Sequence, residues 1–176
     1  NFEQAKEVLQ SLKGQPGKRF YSSTHLLVLD RDMIIITPLQ HGWNEIQIEK
    51  GQVGSLLGPW ELKIEYLTNI LPVSDEMEAI LDAELLNYPL VWRKWRPGDA
   101  FHPLGMEHKK KLSDFFIDKK LSLADKEFVT VLESDGQIVW VAGQRIDDRF
   151  KLTTKTTSIV RFRLGRADAA QSGVTP

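Results

Sequence analysis

Two stretches of alternation constrain this chain more than any other feature. Glu45-Ile46-Gln47-Ile48-Glu49 and Trp60-Glu61-Leu62-Lys63-Ile64-Glu65-Tyr66-Leu67 switch between apolar and polar at almost every step. A period of two belongs to a strand with one buried and one wet face, and no helix can satisfy it. Other segments read the same way. Arg19-Phe20-Tyr21, His25 to Leu29 and Met33 to Thr37 are short apolar runs, with Asp30-Arg31-Asp32 as a hairpin turn between the last two. Pro89 leads into a strand ending at Arg93, and Phe128 to Leu132 is another. Ser134-Asp135-Gly136-Gln137 joins that strand to Ile138–Gly143, because Asp-Gly supplies the positive φ of a tight hairpin. Thr156 to Leu164 closes the set.

Helical spacing is rarer. Apolar residues at 2, 5, 8, 9 and 12 predict an opening helix that stops at Gly14-Gln15-Pro16-Gly17. Ser74 to Asp82 reads as a short capped helix with acids in its first turn, and Lys110 to Lys119 as a third. The fold class is therefore α+β, mostly antiparallel strands with a few short helices. Three regions are expected: a strand-rich 1–75 with its N-terminal helix, a basic 76–165, and a small, polar 166–176 with the composition of a flexible tail. The chain opens on Asn1 directly in a helical pattern, as a segment of a longer protein would.

Composition narrows the chemistry. With no cysteine, the chain has no disulfide scaffold, thiolate zinc site or cysteine nucleophile, and a reducing cytoplasm suits it. No apolar run approaches the ~20 residues of a membrane span. Phosphate-loop, dinucleotide and nucleophile-elbow motifs are all missing. His25, His41, His102 and His108 lack metal-site spacing, and Asp147-Asp148 reads as a solvated loop pair; neither a catalytic nor a metal site is expected.

Charge is distributed unevenly. The net charge is −1, yet Arg93 to Lys120 holds eight Lys/Arg against four Asp/Glu. Within it, Trp92-Arg93-Lys94-Trp95-Arg96-Pro97-Gly98-Asp99-Ala100-Phe101-His102 interleaves cations with aromatics. Lys109, Lys110 and Lys111 follow, at the expected start of a helix whose free N–H groups favour an anion. Arg93, Lys94, Arg96, His108, Lys109, Lys110 and Lys111 are thus candidate phosphate contacts, and Trp92, Trp95 and Phe101 candidate stacking faces. Residue chemistry supports equally the reading in which the aromatics are core and the lysines a solvated rim.

The spaced residues Arg93, Arg96-Pro97-Gly98-Asp99, Phe101, Pro103-Leu104-Gly105-Met106, Lys110-Lys111-Leu112 and Asp114-Phe115-Phe116 resemble the C-terminal signature of tRNA(Ile)-lysidine synthetases. Ile138 to Gly143, then Arg145-Ile146-Asp147 and Arg149-Phe150, are similar to that family's closing hairpin. Less specifically, Gly17-Lys18 and the strands through Ile36 resemble its preceding linker domain. The resemblance implies a compact C-terminal α+β domain that helps hold an isoleucine tRNA with a CAU anticodon. It further implies that ATP, with magnesium, and the ligation of lysine to the wobble cytidine belong to an N-terminal domain. The Ser-Gly-Gly-x-Asp-Ser loop of that domain does not occur here. Asp99 is then expected to orient a cation or cap a turn, and Leu112, Phe115, Phe116 and Trp140 to be core. A structural or dimerisation domain without nucleic-acid contact is the alternative, and a homodimer is compatible with either. An independent enzyme acting through His102 or His108 has no supporting constellation.

Overall fold

The computed structural model describes residues 2–11, 18–21, 25–30, 33–38, 45–68 and 75–167. Contacts between Cα atoms divide the chain into two compact units, Asn1–Gly42 with Phe116–Phe128, and Trp43–Phe115 with Val129–Pro176. The boundary expected near residue 75 falls inside the second unit, because the strands on either side of it pair with one common strand.

In the first unit, helix α1 (Phe2–Ser11) is the one its apolar spacing predicts. Its last residue, Ser11, is buried; its hydroxyl donates to the Glu7 carbonyl (2.8 Å) and accepts from Lys18 Nζ (2.7 Å). Strands β1 (Arg19–Tyr21), β2 (His25–Asp30) and β3 (Met33–Pro38) form an antiparallel sheet in that order. Asp30 pairs with Met33, while 31–32 of the expected turn, 14–17 and His41 lie outside the described residues.

The second unit packs two antiparallel sheets. Strands β4 (Ile46–Ile48), β5 (Gly54–Leu57), β6 (Trp60–Leu67), β7 (Glu78–Asp82) and β8 (Leu90–Lys94) come first. The short strands β9 (Ala100–Phe101) and β10 (Lys110–Lys111) follow, then helix α2 (Leu112–Asp118), whose residues from Phe116 on fall in the first unit. Helix α3 (Leu123–Lys126), in the first unit, is capped by the Ser122 hydroxyl accepting from the Asp125 amide (3.1 Å). Strands β11 (Thr130–Ser134), β12 (Gln137–Val141), β13 (Arg145–Ile146) and β14 (Ile159–Arg166) complete the second unit.

One sheet runs β5-β6-β14-β7 and the other β13-β12-β11-β8-β4. Their facing sides bury a shared core that includes Ile48, Leu62, Leu81, Trp92, Leu132, Trp140 and Phe162. Alternation decides which side chains enter it. On β6, Leu62 and Ile64 turn inward; on β14, Val160, Phe162 and Leu164 do so in register with them. Between them, Arg161 pairs with Glu65 and Arg163 with Glu78 on the outer side. Asp135 (φ 49°) and Gly136 (φ 70°) make the two-residue turn between β11 and β12 that Asp-Gly signals.

Four expectations require correction. Glu78–Asp82 is a strand, not part of a helix. Ala79 and Leu81 face the core and pair with β14, and the Asp75 carboxylate accepts from the Met77 amide (2.9 Å) as a turn rather than a helix cap. Asp125–Glu127 belongs to α3 and its C-cap, so β11 begins at Thr130. The third expected helix starts only at Leu112, after Lys110 and Lys111 have paired as a strand. Arg166 ends β14 and the Ala167 amide donates to the Pro59 carbonyl (3.0 Å), so the expected tail is structured that far. Residues 168–176 lie outside the described set. No described helix is long and apolar enough to cross a membrane.

Candidate nucleic-acid interface

The basic segment forms a hairpin lying across the five-stranded sheet on the side away from the shared core. Lys110 pairs with Phe101 and Lys111 with Ala100. At the base, the Leu112 amide donates to the Asp99 carbonyl (2.9 Å). Asp99 is also bonded to Arg93 on β8. At the tip, the Leu104 amide donates to the Ile146 carbonyl on β13 (3.0 Å). Strand order puts β8 and β13 three spacings apart, so the hairpin spans about 14 Å of sheet. Phe101, Leu112 and Phe115 are buried, with the rings of Phe101 and Phe115 meeting edge to face at 5.2 Å.

A fully buried carboxylate ties down the tip. Asp147 accepts from the His102 amide (2.8 Å), from the Arg149 amide (3.0 Å) and from Arg149 Nε and Nη2 (both 2.9 Å). It is therefore not the solvated loop charge its sequence suggested: four donors replace the water it loses. Arg149 is correspondingly raised above its ordinary value, chiefly by its hydrogen bonds to Asp147. Asp148 accepts from the Gly105 amide (2.9 Å) and from Lys151 Nζ (2.8 Å), and these contacts, the amide first, lower its pKa. Gly105 (φ 81°) adopts a conformation that side chains resist, so its place in this turn has a backbone reason. His102 Nδ1 is buried without a hydrogen bond, 3.8 Å from Asp147 Oδ2.

Folding separates the predicted site residues. Arg93 is 5% exposed, and all five of its N–H donors are used inside the protein. Nε donates to Glu133 (3.0 Å), Nη1 to the Lys94 carbonyl (2.8 Å) and Asp99 (2.9 Å), and Nη2 to Asp99 (2.9 Å) and Glu133. Burial pulls this guanidinium down, and the bonds to Asp99 and Glu133 outweigh it, leaving it above its ordinary value. It has no donor left for a phosphate. Arg96 is exposed and pairs with Glu45 (2.8 Å), also exposed; such a pair exchanges readily for another anion. Lys94 is half-buried at the end of β8.

The three lysines are not equivalent. Register sets Lys110 beside the buried Phe101, and it is half-buried, while Lys111 sits opposite Ala100 and is exposed. His108 and Lys109 are exposed on the arm before it. Lys110 and Lys111 form β10 and lead directly into α2 at Leu112, so the lysines abut the helix start as expected but stand before its first turn rather than in it. Of the aromatics, Trp92 and Phe101 are core; Trp92 Nε1 donates to Thr130 Oγ1 (3.0 Å) inside it. Trp95 is half-buried. Arg145 escaped the sequence reading because its run looks like a hairpin end. It is exposed on β13, where its guanidinium approaches the Leu104 carbonyl (3.4 Å).

The hairpin's turn amides are largely engaged by the protein itself. Gly105 donates to Asp148, Met106 to Pro103 (2.8 Å) and Asp99 to Arg96 (3.1 Å). What these turns present outward is chiefly side-chain charge.

Comparison with known proteins assigns this architecture. The model described as the TilS substrate C-terminal domain matches residues 90–164, and the TilS substrate binding domain matches residues 1–39. A tRNA(Ile)-lysidine synthase of Parabacteroides distasonis is 40% identical over 161 residues, covering 89% of this chain and 37% of that protein. The chain belongs to the tRNA(Ile)-lysidine synthetase family. It corresponds to that family's C-terminal portion, and spans 37% of the length of each of two curated relatives that match most of it. The relative from Bacteroides thetaiotaomicron is 32% identical over 167 residues, covering 93% of this chain and 37% of that protein. The crystal structure described as a TilS C-terminal domain superposes with a TM-score of 0.59 at 20% identity, covering 72% of this chain and all of that one. The lysidine-synthetase C-terminal fold is thus present here. Much of the family signature in this chain serves to hold the hairpin: Arg93 and Asp99 at its base, Asp147 and Arg149 at its tip.

Proposed function

We propose that this chain is the tRNA-holding, non-catalytic portion of a cytoplasmic ATP-dependent ligase that joins lysine to the wobble cytidine of an isoleucine tRNA with a CAU anticodon. The reading rests on family membership together with one observation. A cation-bearing hairpin is pinned to a rigid sheet at both ends, with Arg96, His108, Lys109 and Lys111 exposed along it. Lys94 precedes these groups and Lys110 lies among them, both half-buried. Arg93 leaves the contact set because its donors are spent. With Trp92 and Phe101 buried, the hairpin addresses the phosphate backbone rather than splayed bases, as suits an RNA duplex. ATP and its magnesium act, in this reading, in a part of the enzyme outside the span described here.

Binding of the 176-residue chain to a tRNA transcript with a CAU anticodon, across a salt series, tests it. Affinity should fall steeply with salt. Lys109→Ala and Lys111→Ala should each flatten the log–log slope by about 0.9, the value of one phosphate contact. Unchanged slope and affinity in a folded double variant would remove the hairpin from the interface. The second reading, a packing or dimerisation surface, draws on Leu104 and Met106, which are 39% and 45% exposed at the tip. It predicts a stable dimer in sedimentation and no tRNA affinity.

A further inference from the structure

The buried guanidinium of Arg93 joins two parts of the basic segment. One is the turn after β8, which carries Arg96. The other is the arm that carries Lys109 and Lys111. Asp99 is the link between them. Its carboxylate receives the Arg93 fork through both oxygens (2.9 Å each) and also accepts from the Arg96 amide (2.7 Å). Its own amide donates to the Arg96 carbonyl (3.1 Å), closing the turn through Gly98 (φ 95°). Its carbonyl takes the Leu112 amide (2.9 Å), directly after the lysine arm. Glu133 on β11 clamps the other edge of the guanidinium and fixes it to the sheet. A planar fork with five donors fits this socket, and a lysine ammonium does not.

We propose that Arg93 and Asp99 are positioning residues for nucleic-acid contact, holding the Arg96 turn in register with the lysine arm without touching RNA themselves. The proposal rests on the tRNA-holding reading above and goes further in assigning these two charges. It makes a prediction opposite in sign to simple electrostatics. Asp99→Asn removes a negative charge beside the interface, so charge alone would tighten binding. If Asp99 positions Arg96, the same change weakens binding.

The experiment measures affinity of the full 176-residue chain for the tRNA transcript over a salt series, with folding checked by thermal melting. In the wild-type background, Arg96→Ala and Lys109→Ala should each lower the slope by about 0.9. In the Asp99→Asn background, Arg96→Ala should cost little more, while Lys109→Ala keeps its full effect; a loss of stability alone would not separate the two. Arg93→Lys, which keeps the charge but loses the fork, should behave like Asp99→Asn. Tighter or unchanged binding by Asp99→Asn overturns the proposal, as does full retention of the Arg96→Ala effect in that background. If Asp99→Asn does not fold, Glu133→Gln takes its place. A reduced Arg96→Ala effect there supports the proposal, and an undiminished one sinks it. Absence of binding by the wild-type chain would instead refute the tRNA-holding reading, a separate result.

Discussion

Two neighbouring residues on β8 divide the work of the site. Trp92 points into the shared core at 1% exposure, and Arg93 points to the opposite face, into its carboxylate socket. The alternation of a strand makes that split unavoidable once β8 is central in its sheet. Burying an indole requires a partner for its N–H, and Thr130 on the adjacent strand supplies it. Thr130→Val keeps the shape but orphans that donor, so urea unfolding should show a loss of about 1–3 kcal/mol. Trp92→Ala removes one of the two largest buried side chains among the described residues and should cost about 3–5 kcal/mol. Losses well below these would mean that Trp92 is not the packing residue described.

At the scale of elements, most of the longer strands were legible, whereas β7, the two-residue β9 and β10 and the short helix α3 were not. β6 spans the same Trp60–Leu67 that alternation marks, and the Asp135-Gly136 turn lies where its dipeptide places it. The segment Glu78–Asp82 misled because acids beside a serine mimic a helix start. The competing term was tertiary: β14 has a second edge, and β7 satisfies it. Glycines separate the same way. A Cβ on Gly54 of β5 would lie 2.9 Å from the Leu62 carbonyl oxygen, which is backbone and cannot swing aside; one on Gly165 of β14 meets nothing within 4 Å. Gly54→Ala should therefore destabilise by about 1–3 kcal/mol and Gly165→Ala should be near neutral, compared by chemical denaturation. Equal effects would count against the β5–β6 approach.

Across the whole molecule, paired charges set the response to acid. The Glu65 carboxyl is held below its ordinary value of 4.5, first by its hydrogen bond to Arg161, and Asp148 below 3.8, first by the Gly105 amide. A carboxyl with a lowered folded-state pKa binds fewer protons folded than unfolded. Its stabilisation is complete above the unfolded value and disappears as pH falls through the folded one. Melting temperature should therefore drop as the pH passes below about 4, and Asp148→Asn should remove part of that dependence. A profile identical to the wild type would show that the tie to the hairpin tip contributes nothing on folding.

Periodicity alone determined the antiparallel α+β class, because a strand's two faces are written into alternate residues. Residue type and spacing also placed the cations and both glycine turns in one short segment. Whether each cation was available depended on contacts far apart in sequence. Arg93 meets Glu133 forty positions away, and the His102 amide meets Asp147 forty-five away. A guanidinium that finds two carboxylates there has spent its donors, whereas Lys111 on β10 is exposed, and only the tertiary structure distinguishes them.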